Sequence, residues 1–297
     1  MVAAPEVTCF FHNDTNTCTY VVKDAGTKHA MIVDPVLDFD SGSARTANQH
    51  NEKVQAFCES NDLIVDYIIE THVHADHLTG AHYLSEKFPH AKTAIGENVT
   101  TVQALFQQVF NLDGEKDNFR PDGSQFHLLL KDNQEFMLGE TPVKVWHTPG
   151  HTPACISLVV GNAVFTGDTL FMPDMGTARC DFPGGDVEQL YRSIQRLFTL
   201  PDDTRVFVGH DYGPGGREIS WESTIGKSKA ENKQIKAGTT VEEFTNFRKA
   251  RDATLGAPKL IIPSLQVNLR NGAMPPPEDN GTVYLKIPLN VIGGDSK

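Results

Sequence analysis

A short segment in the first third of the chain concentrates side chains that bind metals. Residues 71–77 read Thr-His-Val-His-Ala-Asp-His and follow the apolar run 63–69, which predicts a buried strand. Imidazole and carboxylate groups are ligands for first-row metals, and a loop at a strand end lets alternate side chains converge on one point. The segment therefore predicts a metal site, and the alternative is a histidine-rich surface loop.

Three further candidate ligands each follow a predicted strand and a glycine. They stand in the sequences Pro-Gly-His151, Thr-Gly-Asp168 and Val-Gly-His210. Glycine lets the backbone turn tightly after a strand and bring the next side chain inward. One such histidine alone would favour a structural role. Three repeats of strand, glycine and ligand, added to the first segment, predict a single site.

The elements that must position these ligands are strands followed by helices, twice along the chain. Such an order predicts two sheets packed face to face with helices outside. Strands are predicted over 7–11, 17–22, 30–33, 63–69, 126–130, 135–138, 143–146, 156–160, 163–165, 205–208 and 283–287. Helices are predicted over 43–59, 81–88, 99–110, 186–198, with Asp186 as N-cap, and 241–253.

Composition excludes several classes of function. The 297 residues carry 38 Asp and Glu against 26 Lys and Arg, a net charge of -12 without a basic stripe, so a nucleic-acid partner is not expected. No apolar run is long enough for a membrane span, and residues 1–6 lack the features of a secretory signal. Five scattered cysteines without a CxxC pair favour a reducing compartment, so a cytoplasmic protein is expected. We expect one domain over 1–297, with a core at 5–225 and an extension at 226–297.

The ordered ligand set resembles that of the metallo-β-lactamase superfamily, whose fold is an αβ/βα sandwich of two mixed sheets. The set comprises His72, His74, Asp76, His77, His151, Asp168 and His210. The resemblance covers residues 5–225 and implies metals at one edge of the sheets. It does not by itself specify the reaction.

The set can bind metal in two ways. In a binuclear site, two zinc-like ions would polarise a carbonyl and generate hydroxide. One ion would lie on His72, His74, His151 and Asp168, and the other on Asp76, His77, His210 and a bridging Asp168. In a mononuclear site, His72, His151 and Asp168 would form the two-histidine, one-carboxylate triad of non-haem Fe(II) enzymes. Spacing alone does not choose between these uses.

Two flanking segments resemble the persulfide dioxygenase branch of the superfamily. Residues 176–182, Gly-Thr-Ala-Arg-Cys-Asp-Phe, match its Gly-x-x-Arg-x-Asp-Phe pattern, with Cys180 where several relatives have Thr, and residues 209–212 read Gly-His-Asp-Tyr. This resemblance implies oxidation of glutathione persulfide with dioxygen and water to sulfite and glutathione, at one Fe(II) per chain. His74, Asp76, His77 and His210 would then lie beside the iron without binding it. The alternative is a binuclear glutathione thioester hydrolase of the glyoxalase II type.

An acidic protein must supply local cations for the carboxylates of glutathione. Arg179 is the first candidate, by resemblance and because a guanidinium matches a carboxylate. Tyr212 is expected to donate a hydrogen bond at the same mouth, and Arg217 is the third candidate, with a solvated loop charge as its alternative. Cys180 is expected to line the pocket, as an inert side chain or as one that reacts with persulfide. The resemblance also implies a possible homodimer.

Overall fold

The computed structural model describes residues 4–292, in which fifteen strands and seven helices form. The strands are β1 (Glu6–His12), β2 (Thr17–Lys23), β3 (His29–Val33), β4 (Val36–Asp40), β5 (Arg45–Ala47), β6 (Ile64–Ile69), β7 (Leu78–Thr79), β8 (Lys92–Gly96), β9 (Leu128–Leu130), β10 (Glu135–Leu138), β11 (Thr141–His147), β12 (Ile156–Val160), β13 (Ala163–Phe165), β14 (Arg205–Phe207) and β15 (Glu222–Thr224). The helices are α1 (Gln49–Ser60), α2 (Ala81–Lys87), α3 (Val99–Val109), α4 (Val187–Leu197), α5 (Ile225–Glu231), α6 (Val241–Asp252) and α7 (Ile261–Asn268). None of these helices has the length and apolar character needed to cross a bilayer. Two ends of the chain lie outside the described range. They are residues 1–3, part of the segment that lacks the features of a secretory signal, and residues 293–297, the end of the extension.

Two six-stranded mixed sheets form the centre of the fold. The first has the order β1-β2-β3-β6-β8-β9 and the second the order β10-β11-β12-β13-β14-β15, and a small sheet, β5-β4-β7, lies beside them. The first sheet begins antiparallel and becomes parallel from β3 onward, and the second contains one parallel pair, β13 with β14. The predicted αβ/βα sandwich is confirmed.

Aromatic side chains fill the space between the two sheets. Tyr20 on β2 lies edge-on to Phe165 of β13, with ring centroids 5.3 Å apart, and Phe165 stacks on Phe207 of β14 at 5.0 Å. All three rings are buried, and the Tyr20 hydroxyl donates to the Val208 carbonyl oxygen at 2.6 Å. Helices cover the outer faces: α4 packs Leu190 and its apolar neighbours on the second sheet, and α1 and α2 cover the first. The burial of these faces holds the strand ends that carry the ligands.

Most predicted elements of the first 210 residues are confirmed, and the helix predicted over 43–59 is wrong at its start. It begins at Gln49, because residues 45–47 pair with β4 as an edge strand. The predicted cap of α4 is confirmed, since the Asp186 carboxylate accepts from Gln189 N at 2.9 Å. The strand predicted over 283–287 does not form: no neighbouring strand pairs with it, and the Gln266 side chain bonds the Lys286 backbone instead.

The extension contains three helices where the sequence predicted one, and its last helix reaches the ligand loop. Leu265 of α7 and Leu269, directly after this helix, pack with Phe106 of α3 in one buried cluster. Asn268 Nδ2 donates to the backbone oxygens of His74 and His77, both at 2.8 Å. The extension therefore fixes the backbone that carries the first candidate ligands.

Candidate metal centre

All seven candidate ligands meet at one edge of the two sheets, in two groups of ligand atoms. The first group, called here the triad cluster, contains His72, His151 and Asp168. The second, called the quartet cluster, contains His74, Asp76, His77 and His210. Within each group the ligand atoms lie within 4.8 Å of one another, and all the residues are buried except Asp76, which is partly exposed.

The Asp168 carboxylate lies between the two clusters. Its Oδ2 is 3.8 Å from Nε2 of His151, and its Oδ1 is 3.4 Å from Nε2 of His210. The same His210 nitrogen is 3.3 Å from Oδ2 of Asp76. One carboxylate therefore faces both groups, as a bridging ligand must.

Glycines before the ligands have the conformations that the sequence argument requires. Gly167 lies in the left-handed region, at φ 46°, and a Cβ there would collide with the Thr71 side chain. A Cβ on Gly209 would lie 2.8 Å from Oδ1 of Asp168, inside the site itself. Side chains at these two positions would close the space between the clusters.

Five buried ligand atoms have no hydrogen-bond partner among the described residues. They are Nε2 of His72, Nδ1 of His74, Nε2 of His77, Nε2 of His210 and Oδ1 of Asp168. An unpaired buried polar atom costs about 1–3 kcal/mol, so five in one place indicate that something else satisfies them. Nitrogen and carboxylate donors of this kind fit first-row metal ions. Both clusters contribute to the five atoms.

The opposite nitrogens of the ligand histidines are held by the protein. Nε2 of His74 lies 3.0 Å from Asp34 Oδ1 and 3.2 Å from Glu70 Oε2, and Nδ1 of His151 lies 2.8 Å from the Arg179 carbonyl oxygen. Such partners set the ring orientation and choose which nitrogen faces a metal. Asp34 and Glu70 were not among the site residues predicted from the sequence. The available signal was an acidic residue directly after β3 and another directly before the histidine segment.

Electrostatics keep two of the ligand imidazoles neutral. Burial, followed by the charge of His74, lowers the pKa of His72 well below its usual value and that of His77 to about 4. Burial alone would also lower the pKa of His74, but Asp34 and Glu70 outweigh it and raise that pKa. The neutral imidazole is the form that binds metals. His72 and His77 therefore do not have to lose a proton before they bind a metal at neutral pH.

A cavity of about 1100 Å³ opens onto both clusters. Asp76, His151 and Asp168 form part of its inner wall, with Phe171 and Phe182 beside them. The extension supplies much of the outer wall, including three exposed cations, Lys233, Arg251 and Lys259. In the part of the chain that the structure describes, none of the three forms an ion pair within 4 Å. The sequence analysis did not select these cations.

The three predicted substrate-binding residues are placed differently from one another. Arg179 lines the cavity, but its guanidinium is held by both Asp181 oxygens, at 2.5 Å each, and by the Gly256 carbonyl oxygen. Tyr212 lines the cavity half-exposed, stacked 6.1 Å from the His210 ring.

Arg217 is not part of the cavity wall. Its guanidinium binds the carboxylates of Asp174 and Asp211, a bidentate arrangement that fixes the loop after His210. Cys180 was expected to line the pocket, but it is buried and is not part of the cavity wall; burial also raises the pKa of its thiol, which disfavours the reactive thiolate.

The family profile of the metallo-beta-lactamase superfamily matches residues 13–210, and the chain belongs to this superfamily. Glyoxylase B2 of Dictyostelium discoideum is 47% identical over 280 residues, covering 94% of this chain and 95% of that protein. The mitochondrial persulfide dioxygenase ETHE1 of Bos taurus is 28% identical, over 90% of this chain and 89% of that protein. Among solved structures, ETHE1 from Myxococcus xanthus superimposes with a TM-score of 0.71 at 30% identity, covering 90% of this chain and 100% of that one. The superfamily predicted from the sequence is confirmed. The persulfide dioxygenase branch, which the flanking segments resemble, is represented by relatives of lower identity than glyoxylase B2.

Proposed function

We propose that this protein hydrolyses glutathione thioesters at a binuclear metal centre, as enzymes of the glyoxalase II type do. The observation that carries the proposal is the Asp168 carboxylate, which faces His151 with one oxygen and His210 with the other. Unpaired buried atoms in both clusters support two metals rather than one. The 47% identity to glyoxylase B2, along nearly the whole of both chains, supports the same chemistry.

The residues present fit this centre and divide its work. His72, His151 and Asp168 would hold one metal, and Asp76, His77 and His210 the other, with Asp168 between them and the unpaired Nδ1 of His74 available to complete the set. When bound, two such ions polarise a carbonyl oxygen and supply hydroxide at neutral pH. Asp34 keeps the His74 ring in place because its Oδ1 accepts from Nε2 of that ring, and the Glu70 carboxylate, 3.2 Å from the same nitrogen, adds an electrostatic attraction.

The outer cavity wall suits an anionic substrate with an apolar portion. Lys233, Arg251 and Lys259 line the cavity with no carboxylate within 4 Å among residues 4–292, and they can attract the two carboxylates of glutathione although the whole protein is negatively charged. Phe171 and Phe182, closer to the clusters, offer apolar contact for the acyl group and exclude water from it.

Persulfide dioxygenase activity is the second candidate, and particular residues favour it. His72, His151 and Asp168 alone form a facial triad that suits one non-haem Fe(II), whose redox chemistry would allow dioxygen to react with a thiolate. Arg179 and Asp181, the residues of the dioxygenase-like segment, both line the cavity. The similarity to the bovine persulfide dioxygenase and to the Myxococcus ETHE1 structure supports this candidate.

The test is metal analysis of anaerobically purified protein, paired with two assays on the same preparation. For the hydrolase we expect about two metals per chain, release of glutathione from a glutathione thioester, and no dioxygen uptake with glutathione persulfide. About one iron per chain with dioxygen uptake and sulfite release would refute the hydrolase and establish the second candidate.

A pair of variants sharpens this test. Asp168→Ala removes a ligand common to both candidates and is expected to abolish either activity. His77→Ala removes a ligand of the quartet cluster only, so it should abolish hydrolysis. An iron content and dioxygen uptake that survive in His77→Ala, and are lost in His72→Ala, would contradict the hydrolase.

A further inference from the structure

A continuous row of side chains joins the protein surface to the quartet cluster. Asp38, whose side chain is 25% exposed, lies 3.2 Å from Nε2 of His12. Nδ1 of His12 lies 2.8 Å from the Thr15 hydroxyl, which lies 2.8 Å from the Thr17 hydroxyl. The Thr17 hydroxyl in turn lies 3.4 Å from Nδ1 of His77, and equally far from Nδ1 of His210.

The donors and acceptors along this row fit one direction. Nε2 of His77 is the unpaired nitrogen that faces the site, so its Nδ1 carries the hydrogen and donates to the Thr17 hydroxyl at 3.4 Å, with Asp76 Oδ2 as a second acceptor at 3.5 Å. In the assignment consistent with this tautomer, Thr17 donates to the Thr15 hydroxyl, with the Thr15 carbonyl oxygen as a second acceptor at 3.3 Å, Thr15 donates to Nδ1 of His12, and Nε2 of His12 donates to the Asp38 carboxylate. With this assignment the hydroxyl and ring hydrogens of the row run outward to the Asp38 carboxylate.

The backbone of the turn between β1 and β2 supports His210, the second ligand that the row reaches. Nδ1 of His210 lies 3.1 Å from the Asn16 carbonyl oxygen, and Asn16 is in the left-handed conformation, at φ 55°. Thr17 is 1% exposed and also pairs with His210 through an isolated backbone bridge. No residue of this row contacts the triad cluster among the hydrogen bonds of residues 4–292.

We propose that His12, Thr15 and Thr17 are positioning residues that set the metal affinity of the quartet cluster independently of the triad cluster. The row orients the rings of His77 and His210 and stabilises the hydrogen on the far nitrogen of His77. Residues in this role typically change metal affinity by roughly 10–100-fold. The inference rests on the proposed function only in requiring a metal at the quartet cluster.

The experiment is a Co²⁺ titration of the metal-free full-length chain, followed by its absorption spectrum and by competition with a chelator. The matched variants are Thr15→Val, which keeps the shape and removes the hydroxyl, and Thr15→Ser, which keeps the hydroxyl. We expect Thr15→Val to weaken the binding of the second Co²⁺ about tenfold. This lies at the lower end of the range because Thr15 acts on the ligands through Thr17. The first Co²⁺ should bind as in the wild type, and Thr15→Ser should restore the second.

A histidine–carboxylate pair elsewhere on the first sheet provides the control. His29 Nδ1 lies 2.7 Å from Asp66, far along the strand from the ligands, so His29→Ala should change neither affinity. If the wild-type protein binds two Co²⁺ ions and Thr15→Val changes neither affinity, or weakens both affinities equally, this inference is overturned and the binuclear function is not. Wild-type protein that binds a single Co²⁺ would overturn both the inference and the binuclear function.

Discussion

Removal of the Asp34 carboxylate should destabilise the protein even without metal. Asp34 is 2% exposed and accepts from Thr71 N at 2.7 Å, from the Thr71 hydroxyl at 2.8 Å and from Nε2 of His74 at 3.0 Å. Burial opposes its ionisation, but the charge of His74 and these hydrogen bonds outweigh burial and lower the Asp34 pKa. Asp34→Ala removes the carboxylate to which three buried donors are bonded: Thr71 N, the Thr71 hydroxyl and Nε2 of His74.

The size of the effect follows from these contacts. Breaking a buried charge pair by removing one partner costs about 3–5 kcal/mol. Glu70 remains 3.2 Å from Nε2 of His74, which favours the lower end, about 3 kcal/mol. An unfolding entropy of about 2.1 cal/mol/K per residue gives about 0.6 kcal/mol/K for 297 residues, so Tm should fall by about 5 °C.

Calorimetry of the metal-free protein, with chelator present throughout, measures this change without a contribution from metal binding. Asp34→Asn keeps the shape and one acceptor oxygen, so its Tm should lie between those of the wild type and Asp34→Ala. Asp66→Ala is the control, because its partly exposed pair with His29 is worth less than about 1 kcal/mol. Equal losses of Tm in Asp34→Ala and Asp66→Ala would refute the role of the buried pair.

Three further predictions concern stability. Chelation should lower Tm by about 7 °C for each metal removed, about 13 °C for two, because a metal at about 1,000 times its Kd stabilises the fold by about 4 kcal/mol; an unchanged Tm would contradict a bound metal. Burial lowers the pKa of His50 to about 4. The unfolded chain therefore binds this proton more readily, and roughly 3 kcal/mol of stability should be lost as the pH falls from 6.5 to 4. His50→Gln should lack this part of the pH dependence, and an unchanged profile would refute the assignment. Asp186→Ala should lower Tm by about 2 °C through loss of its cap bond to Gln189 N and leave the metal content unchanged; a lower metal content would show that the cap also shapes the site.

The metal ligands could be predicted because each one depends on a local pattern. An apolar run ends, a glycine or a short polar segment follows, and the next side chain is His or Asp. Gly167 and Gly209 show why the pattern is restrictive, since a Cβ at either position would meet Thr71 or Asp168. The sheets follow from the same runs, because their β-branched and aromatic residues pack between the layers.

The contacts that hold the ligands could not be predicted in the same way. Asn268 donates to backbone oxygens at His74 and His77, more than 190 residues earlier, and nothing near Asn268 in the sequence marks it. The start of α1 was misplaced because residues 45–47 are exposed and form a strand only by pairing with β4. Both features arise from tertiary contacts, which local periodicity does not report.

The extension connects the question of metal number with the question of substrate. Through Asn268 it holds the backbone between His74 and His77, and it supplies Lys233, Arg251 and Lys259, three cavity cations that form no ion pair with the other described residues. The core alone contributes the ligands that the hydrolase and the dioxygenase would share. Because Arg179 is already paired with Asp181, the proposed function assigns recognition of an anionic thiol conjugate to the cations of the extension. The ligand triad is common to both candidate reactions and by itself does not separate them. The residues that distinguish the two reactions within this fold are therefore those that set the metal occupancy of the quartet cluster.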